Sequence, residues 1–188
     1  MQQRSSSPGF SLIEIMVVIA LLGLLLSMVM PRLSRRAPAS EWKAIHSEFN
    51  NLAQVARQES IAEQTVFRLN FSRGKAPAPD TVTVERLSKM SPDGKQEFTQ
   101  ASSPYLPTKY ELPEGIHFRA VYQGKQDTLQ ERGQAFCYVI PDGLVQDVYV
   151  QLTRMESSKE EPVTLKMLPF DGYFELIEKH IRPGQEDR

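Results

Sequence analysis

The sequence predicts an α+β protein in which a long N-terminal helix, with a membrane half and an amphipathic half, packs on antiparallel β-sheet. Three observations predict this class. Residues 10–30 form an apolar run interrupted by a single carboxylate, that of Glu14. Apolar side chains then recur at steps of mostly three and four up to Ile61, as on one face of a helix. Beyond residue 64 the apolar period changes to two, which is typical of strands with one buried face.

The apolar run is long enough to cross a bilayer, because residues 10–30 would form a helix of about 31 Å. Residues 1–9 form a short polar leader before it. A plain membrane anchor would look similar, and so would a secretory signal cleaved near the small-residue triplet Ala37-Pro38-Ala39. Neither interpretation explains Glu14, since a charge at full depth in a membrane helix costs about 2.5–3.5 kcal/mol.

Residues 1–31 resemble the N-terminus of type IV pilin-like proteins. The leader ends at Gly9, the aromatic Phe10 follows, and Glu14 is the fifth residue after the glycine. Pro31 lies about six helical turns after Phe10. The resemblance implies that prepilin peptidase cleaves between Gly9 and Phe10 and that Phe10 is N-methylated. It also implies that Glu14 and Pro31 act in assembly.

The chemistry of Glu14 favours the same interpretation. Cleavage after Gly9 would create an amine on Phe10, four residues before Glu14, and residues at this spacing share a helix face. A buried carboxylate is tolerable when it is paired. The amine of the same chain and that of a neighbouring chain are both suitable partners, and the sequence leaves this choice open.

The resemblance implies a single-pass protein of the bacterial inner membrane, with a cytoplasmic leader and a periplasmic C-terminal domain. The charge distribution points the other way. Three arginines in residues 32–36 outweigh Arg4 of the leader, and the positive-inside rule would place them in the cytoplasm. We give the motif more weight than the charge count.

Residues 32–63 are predicted to form an amphipathic helix that continues into the globular domain. Its regular part is residues 40–63, with Ser40 as the N-cap. Pro31 and Pro38 are expected to bend or interrupt the helical axis. The predicted buried face consists of Trp42, Ile45, Phe49, Leu52, Ala53, Ala56 and Ile61.

Residues 64–181 are predicted to form a β-rich domain. The candidate strands are residues 66–71, 82–84, 116–122, 135–140, 145–152, 163–168 and 173–177. We expect residues 72–108 to be a long mobile loop apart from the short strand at 82–84, residues 157–161 to be a hairpin loop, and residues 182–188 to be a charged, disordered tail.

Parts of this domain resemble the H-type minor pseudopilins of type II secretion systems (the GspH/FimT-like group). The similar parts are residues 56–61 with the strand that follows, the run Leu112-Pro113-Glu114-Gly115-Ile116, and the turns at Pro141-Asp142-Gly143 and Gly172. The resemblance implies a structural subunit of the periplasmic pseudopilus. Its implied partners are other major and minor pseudopilins, prepilin peptidase with its methyltransferase activity, inner-membrane lipid and the inner-membrane secretion platform.

No enzyme, cofactor or metal is expected. His46, His117 and His180 are far apart and form no metal-binding pattern, and we expect His46 to be exposed on its helix. Asp142 and Asp171 are explained by turns, and their spacing to Asp147 does not match a calcium loop. The single cysteine, Cys137, excludes an internal disulfide and is expected to be buried and inert.

The net charge of −1 gives no field that would attract nucleic acid. The alternative function is nevertheless a minor type IV pilin (FimT-like) that acts in pilus assembly or DNA uptake. This role needs a basic patch, for which Lys179, His180 and Arg182 are candidates diluted by neighbouring acidic residues. A membrane-anchored periplasmic sensor or carrier, which needs no cleavage, is a third class.

Overall fold

The computed structural model of the protein describes residues 12–34, 38–90, 93–103, 107–156 and 159–184. The chain forms two compact units, residues 1–41 and residues 42–188. In chain order the helices and strands are α1 (Leu12–Ser34), α2 (Pro38–Glu63), β1 (Phe67–Ser72), β2 (Thr81–Met90), β3 (Gln96–Gln100), β4 (Lys109–Glu111), β5 (Ile116–Gln123), β6 (Gln126–Asp127), α3 (Thr128–Arg132), β7 (Gln134–Val139), β8 (Val148–Glu156), β9 (Lys159–Leu168) and β10 (Tyr173–Ile177).

The first unit consists mainly of α1, whose sequence is rich in leucine, isoleucine and valine. The helix does not end at Pro31 but continues to Ser34. The predicted N-cap at Ser40 is wrong, because α2 already begins at Pro38. Proline is well suited to a first helical turn, where its missing N–H would have no partner within the helix.

The second unit contains two antiparallel sheets. In the first sheet the strand order is β3-β2-β1-β7, and β4 also pairs with β2. In the second sheet the order is β10-β9-β8-β5-β6. Both sheets contribute to one hydrophobic core together with α2. The predicted α+β class, a helix packed on antiparallel sheets, is therefore confirmed.

Phe49 of α2 lies at the centre of this core. Its side chain is fully buried, and its ring centroid is 5.6–6.5 Å from those of four other aromatic rings. These rings come from both sheets and are Phe71, Tyr110, Phe118 and Phe174. One side chain of the helix thus joins the inner faces of both sheets.

The predicted buried face of α2 is confirmed except at one position. Trp42, Ile45, Phe49, Leu52, Ala53 and Ala56 are buried, whereas Ile61 remains 45% exposed. Ile61 lies in the last turn of the helix, where the neighbouring Ser60 takes the buried position and its Oγ lies 3.4 Å from the oxygen of Val139 on β7. The predicted burial of Cys137 is also confirmed.

The region predicted as a long loop, residues 72–108, contains regular structure. The strand predicted at residues 82–84 extends over the whole of β2, and β3 pairs with its second half. Most side chains of β3 and of the end of β2 are exposed, so their sequences lack the alternation that marks a half-buried strand.

The hairpin loop predicted at residues 157–161 is also too long, because the pairing of β8 with β9 already begins at Glu156 and Lys159.

Candidate assembly site

The candidate assembly site predicted from the sequence lies on α1. Glu14 is in the first turn of this helix, and the surrounding side chains of residues 12–25 are almost all apolar. All the side chains of residues 12–25 are exposed, with exposed fractions of 78% for Leu12 and 65% for Leu24. A contiguous apolar surface of this kind marks a site of contact with protein or lipid.

The structure covers the predicted N-terminal residues only in part. Gly9 and Phe10, the predicted cleavage and methylation residues, lie outside the described residues. Glu14 is described, and Pro31 lies inside α1. Across residues 12–34 and the other described ranges, no helix combines the length and the apolar composition needed to cross a membrane.

In the globular unit, α2 holds the edge of the second sheet with a series of polar side chains. Asn50 acts like a peptide group: its Oδ1 accepts from the backbone N of Phe174 at 2.6 Å, and its Nδ2 donates to the Phe174 oxygen at 3.3 Å. One turn further on, Gln54 Nε2 donates to the oxygen of Gly172 at 3.1 Å. At Phe174 the main-chain groups on the outer side of β10 are thus satisfied by helix side chains where another strand would otherwise pair.

His46 belongs to this series, and the prediction that it is an exposed helix residue is wrong. Its side chain is half-buried, and its Nε2 atom lies 2.6 Å from the carbonyl oxygen of Phe174. Such a contact requires the proton to be on Nε2, which then donates to the carbonyl. No local pattern could predict this partner, because Phe174 lies 128 positions away along the chain.

Arg57 fixes two loops to the end of the same helix. Its Nε donates to the oxygen of Gly143 at 3.0 Å, and its Nη1 donates to that of Asp171 at 2.9 Å. Gly143 and Gly172 both have positive φ, and a Cβ added at Gly172 would lie 2.9 Å from the Cδ of Arg57. Both turns therefore depend on glycine for their backbone conformation.

A group of apolar side chains is exposed around these turns. Phe170 is 78% exposed, Leu144 42% and Ile140 38%. The turn between β7 and β8 lies next to Ile61, since a Cβ added at Gly143 would lie 3.1 Å from the Ile61 Cδ1. We call Ile61, Ile140, Leu144 and Phe170 the apolar rim.

The sequence also contains three aspartates and two further histidines that could in principle bind a metal ion. Asp142, Asp147 and Asp171 are all exposed. In the described ranges, His, Cys, Asp and Glu side chains form no group of three that could hold a metal ion. His117 Nδ1 lies 3.8 Å from the buried carboxylate of Asp80, and His180 Nε2 lies 3.0 Å from the oxygen of Leu152.

The thiol of Cys137 is fully enclosed on β7. Burial, with a smaller contribution from the negative charge of Asp147, raises its pKa far above the ordinary value. Its sulfur lies 3.4 Å from the oxygen of Gln146 and donates to it. A protonated thiol is a weak nucleophile, so the group is suited to packing and not to chemistry.

Comparison with known protein families identifies a match that lies at the N-terminus. Residues 4–30 match the family described as "Prokaryotic N-terminal methylation motif". The chain carries a prepilin-type N-terminus. This match confirms the predicted resemblance of residues 1–31 to type IV pilin-like proteins.

Among solved structures, the chain is similar to the minor pseudopilin EpsH from the type 2 secretion system of Vibrio cholerae. The sequence identity is 14% and the TM-score 0.46, and the likeness covers 73% of this chain and 97% of the EpsH chain. No curated protein shows significant sequence similarity to the chain.

Proposed function

We propose that the protein is a minor pseudopilin, a structural and non-catalytic subunit of the periplasmic pseudopilus of a type II secretion system. The observation that carries this proposal is the methylation motif at residues 4–30. It coincides with an exposed apolar helix that has one carboxylate in its first turn. Prepilin peptidase would cut between Gly9 and Phe10, and the new N-terminus would be methylated.

The carboxylate of Glu14 has a specific task in this proposal. Residues 10–30 sit in the inner membrane, and a charged side chain there is costly unless it is paired. The methylated amine of Phe10 supplies the opposite charge, either within the chain or from a neighbouring subunit. In a filament the neighbour's amine meets Glu14, so that packing of the apolar helices and charge compensation occur together.

The globular unit would lie in the periplasm and select the neighbouring subunits. The H-type assignment depends on the sequence resemblance of residues 56–61, 112–116 and 140–143, and it implies contacts with other major and minor pseudopilins. The apolar rim supports such contacts, because exposed aromatic and aliphatic side chains are frequent in protein interfaces. The inner-membrane secretion platform is the remaining expected partner.

The intact mass of the protein extracted from bacterial membranes tests this proposal. A mass that begins at N-methylated Phe10 is expected. A mass that begins at Met1 would favour an uncleaved anchor, and one that begins near residue 40 would favour a secretory signal. Either result, in cells with active prepilin peptidase, would contradict the proposal.

A deletion strain distinguishes the pseudopilus from a type IV pilus. We expect loss of exoprotein secretion with DNA uptake and pili unchanged. The opposite result, with intact secretion and lost pili or DNA uptake, would assign the protein to the alternative function of a minor type IV pilin. Complementation with the full-length gene provides the control.

A further inference from the structure

Within the described ranges, the two sheets end at four edge strands, and three of these are blocked at one position or are very short. At β10, both main-chain groups of Phe174 are bonded to Asn50. At β7, the N of Gln146 donates to the oxygen of Tyr138 at 2.8 Å, and its Oε1 accepts from the N of Tyr138 at 3.3 Å. β6 has only two residues and therefore offers few main-chain groups. The fourth edge strand, β3, has five residues.

The outer edge of β3 differs from the other three edges. Ala101, directly after β3, donates its N–H to the oxygen of Val84 at 2.8 Å, so the odd-numbered residues of this segment turn their main-chain groups towards β2. The even-numbered residues, Gln96, Phe98 and Gln100, turn theirs away from the sheet. In the part of the chain that the structure describes, these outward N–H and C=O groups have no hydrogen-bond partner. One more strand can therefore pair with β3.

The sequence of β3 suits pairing with a second copy of the same strand. It reads Gln-Glu-Phe-Thr-Gln, with Phe98 at the centre and an amide side chain at each end. A twofold axis at Phe98 would place Gln96 opposite Gln100 of the second copy, and Glu97 opposite Thr99. All five residues would then be paired, and the outward residues would exchange main-chain hydrogen bonds. A register centred on Glu97 would place two carboxylates directly opposite each other, which is destabilising.

On the face of the first sheet that points away from the core, a row of stacked side chains ends at Phe98. The Arg68 guanidinium lies 3.8 Å from the ring centroid of Phe98 and 3.9 Å from that of Phe136. Glu85 holds this guanidinium, since its Oε2 lies 2.6 Å from the Arg68 Nε. In the twofold arrangement the Phe98 rings of both copies would be neighbours, and cross-strand aromatic pairs stabilise antiparallel strands. The row would then continue from one copy into the other.

We propose that the protein forms a homodimer in which the β3 strands of two copies pair antiparallel about a twofold axis at Phe98. The first sheets of the two copies become one continuous sheet, and each copy satisfies the outward main-chain groups of the other. The proposal goes beyond the function of a pseudopilin and does not depend on it.

Disulfide cross-linking of the full-length protein in a nonionic detergent tests the register. Glu97→Cys is mixed with Thr99→Cys under mild oxidation. We expect a disulfide-linked dimer, because the two positions would face each other with Cα atoms about 4.5 Å apart. Each variant alone should form much less dimer, since its two cysteines would be diagonal neighbours about 7–8 Å apart. Cys137 is buried and should not contribute.

Glu175→Cys is the matched control for cross-linking. Glu175 is an exposed acidic residue on β10, next to the position that Asn50 blocks. This variant should form no more dimer than the unchanged protein.

Gln100→Pro tests the main-chain pairing separately. It removes one outward N–H and leaves the bonds to β2 in place, because proline is tolerated where the N–H of an edge strand points outward. We expect dimerisation to weaken about tenfold in sedimentation velocity, with a circular dichroism spectrum like that of the unchanged protein. If this variant unfolds, the cross-linking result still decides the proposal.

Three results would overturn the proposal. The first is equal cross-linking by the mixture and by each cysteine variant alone. The second is association that folded Gln100→Pro leaves unchanged, which would place the contact on another surface. The third is a full-length protein that stays monomeric at every soluble concentration, which would leave the β3 edge to a strand of a different protein.

Discussion

Replacing Phe49 with alanine removes the side chain that joins α2 to both sheets. The ring is fully buried and lies next to four other aromatic rings, of which the ring of Phe174 is the nearest at 5.6 Å. Truncation to alanine deletes buried apolar atoms and leaves a cavity that rigid neighbouring rings cannot fill. Changes of this type cost about 3–5 kcal/mol of unfolding free energy.

The single tryptophan offers a direct assay. Trp42 is 7% exposed, lies on the same helix, and has Arg154 at 5.2 Å from its ring centroid. Its fluorescence should therefore report the separation of α2 from the sheets during urea unfolding. With a slope of about 2 kcal/mol per molar urea, the loss for Phe49→Ala lowers the midpoint by about 2 M.

Ile61→Ala is the matched control for this experiment. Ile61 also belongs to α2, but it is 45% exposed, and its truncation should change the free energy by no more than about 0.5 kcal/mol. If Phe49→Ala shifts the midpoint as little as Ile61→Ala does, then Phe49 is not the centre of the core.

Three further predictions concern the N-terminus and the thiol. Glu14→Ala should leave the protein in the membrane fraction but reduce its incorporation into filaments, as measured by co-purification with the major pseudopilin; unchanged incorporation would show that charge pairing is not needed. Gly9→Val should block processing and leave Met1 at the N-terminus by mass spectrometry, and normal maturation of this variant would contradict cleavage after Gly9. Because burial raises its pKa, Cys137 should react with a thiol reagent at about pH 8 only after unfolding in urea; rapid labelling of the folded protein would contradict its burial.

The elements whose apolar residues recur at a regular spacing could be predicted from the sequence. The C-terminal end of α2 at Glu63 and both ends of β10 agree with the predicted residues 40–63 and 173–177. In both elements one face packs against the core, so the spacing of apolar residues in the sequence predicts which face is buried. The predicted burial failed at Ile61, because the buried position of that turn belongs to the neighbouring Ser60.

The exposed strands and the polar contacts could not be predicted in this way. β3 and the end of β2 pair through their backbones while most of their side chains are exposed, so their sequences show no apolar period. The bond of His46 to Phe174 and the bond of Arg73 to the oxygen of Arg119 depend on how distant segments fold together.

The bidentate contact of Asn50 has a consequence for crowded assemblies. When copies of a protein lie side by side, their sheets come close together. The unpaired edge strand of one copy can then form main-chain hydrogen bonds with a strand of another copy. At Phe174 both main-chain groups are already bonded to Asn50. Misregistered main-chain pairing between copies is therefore blocked at this position, and association there must be decided by side chains.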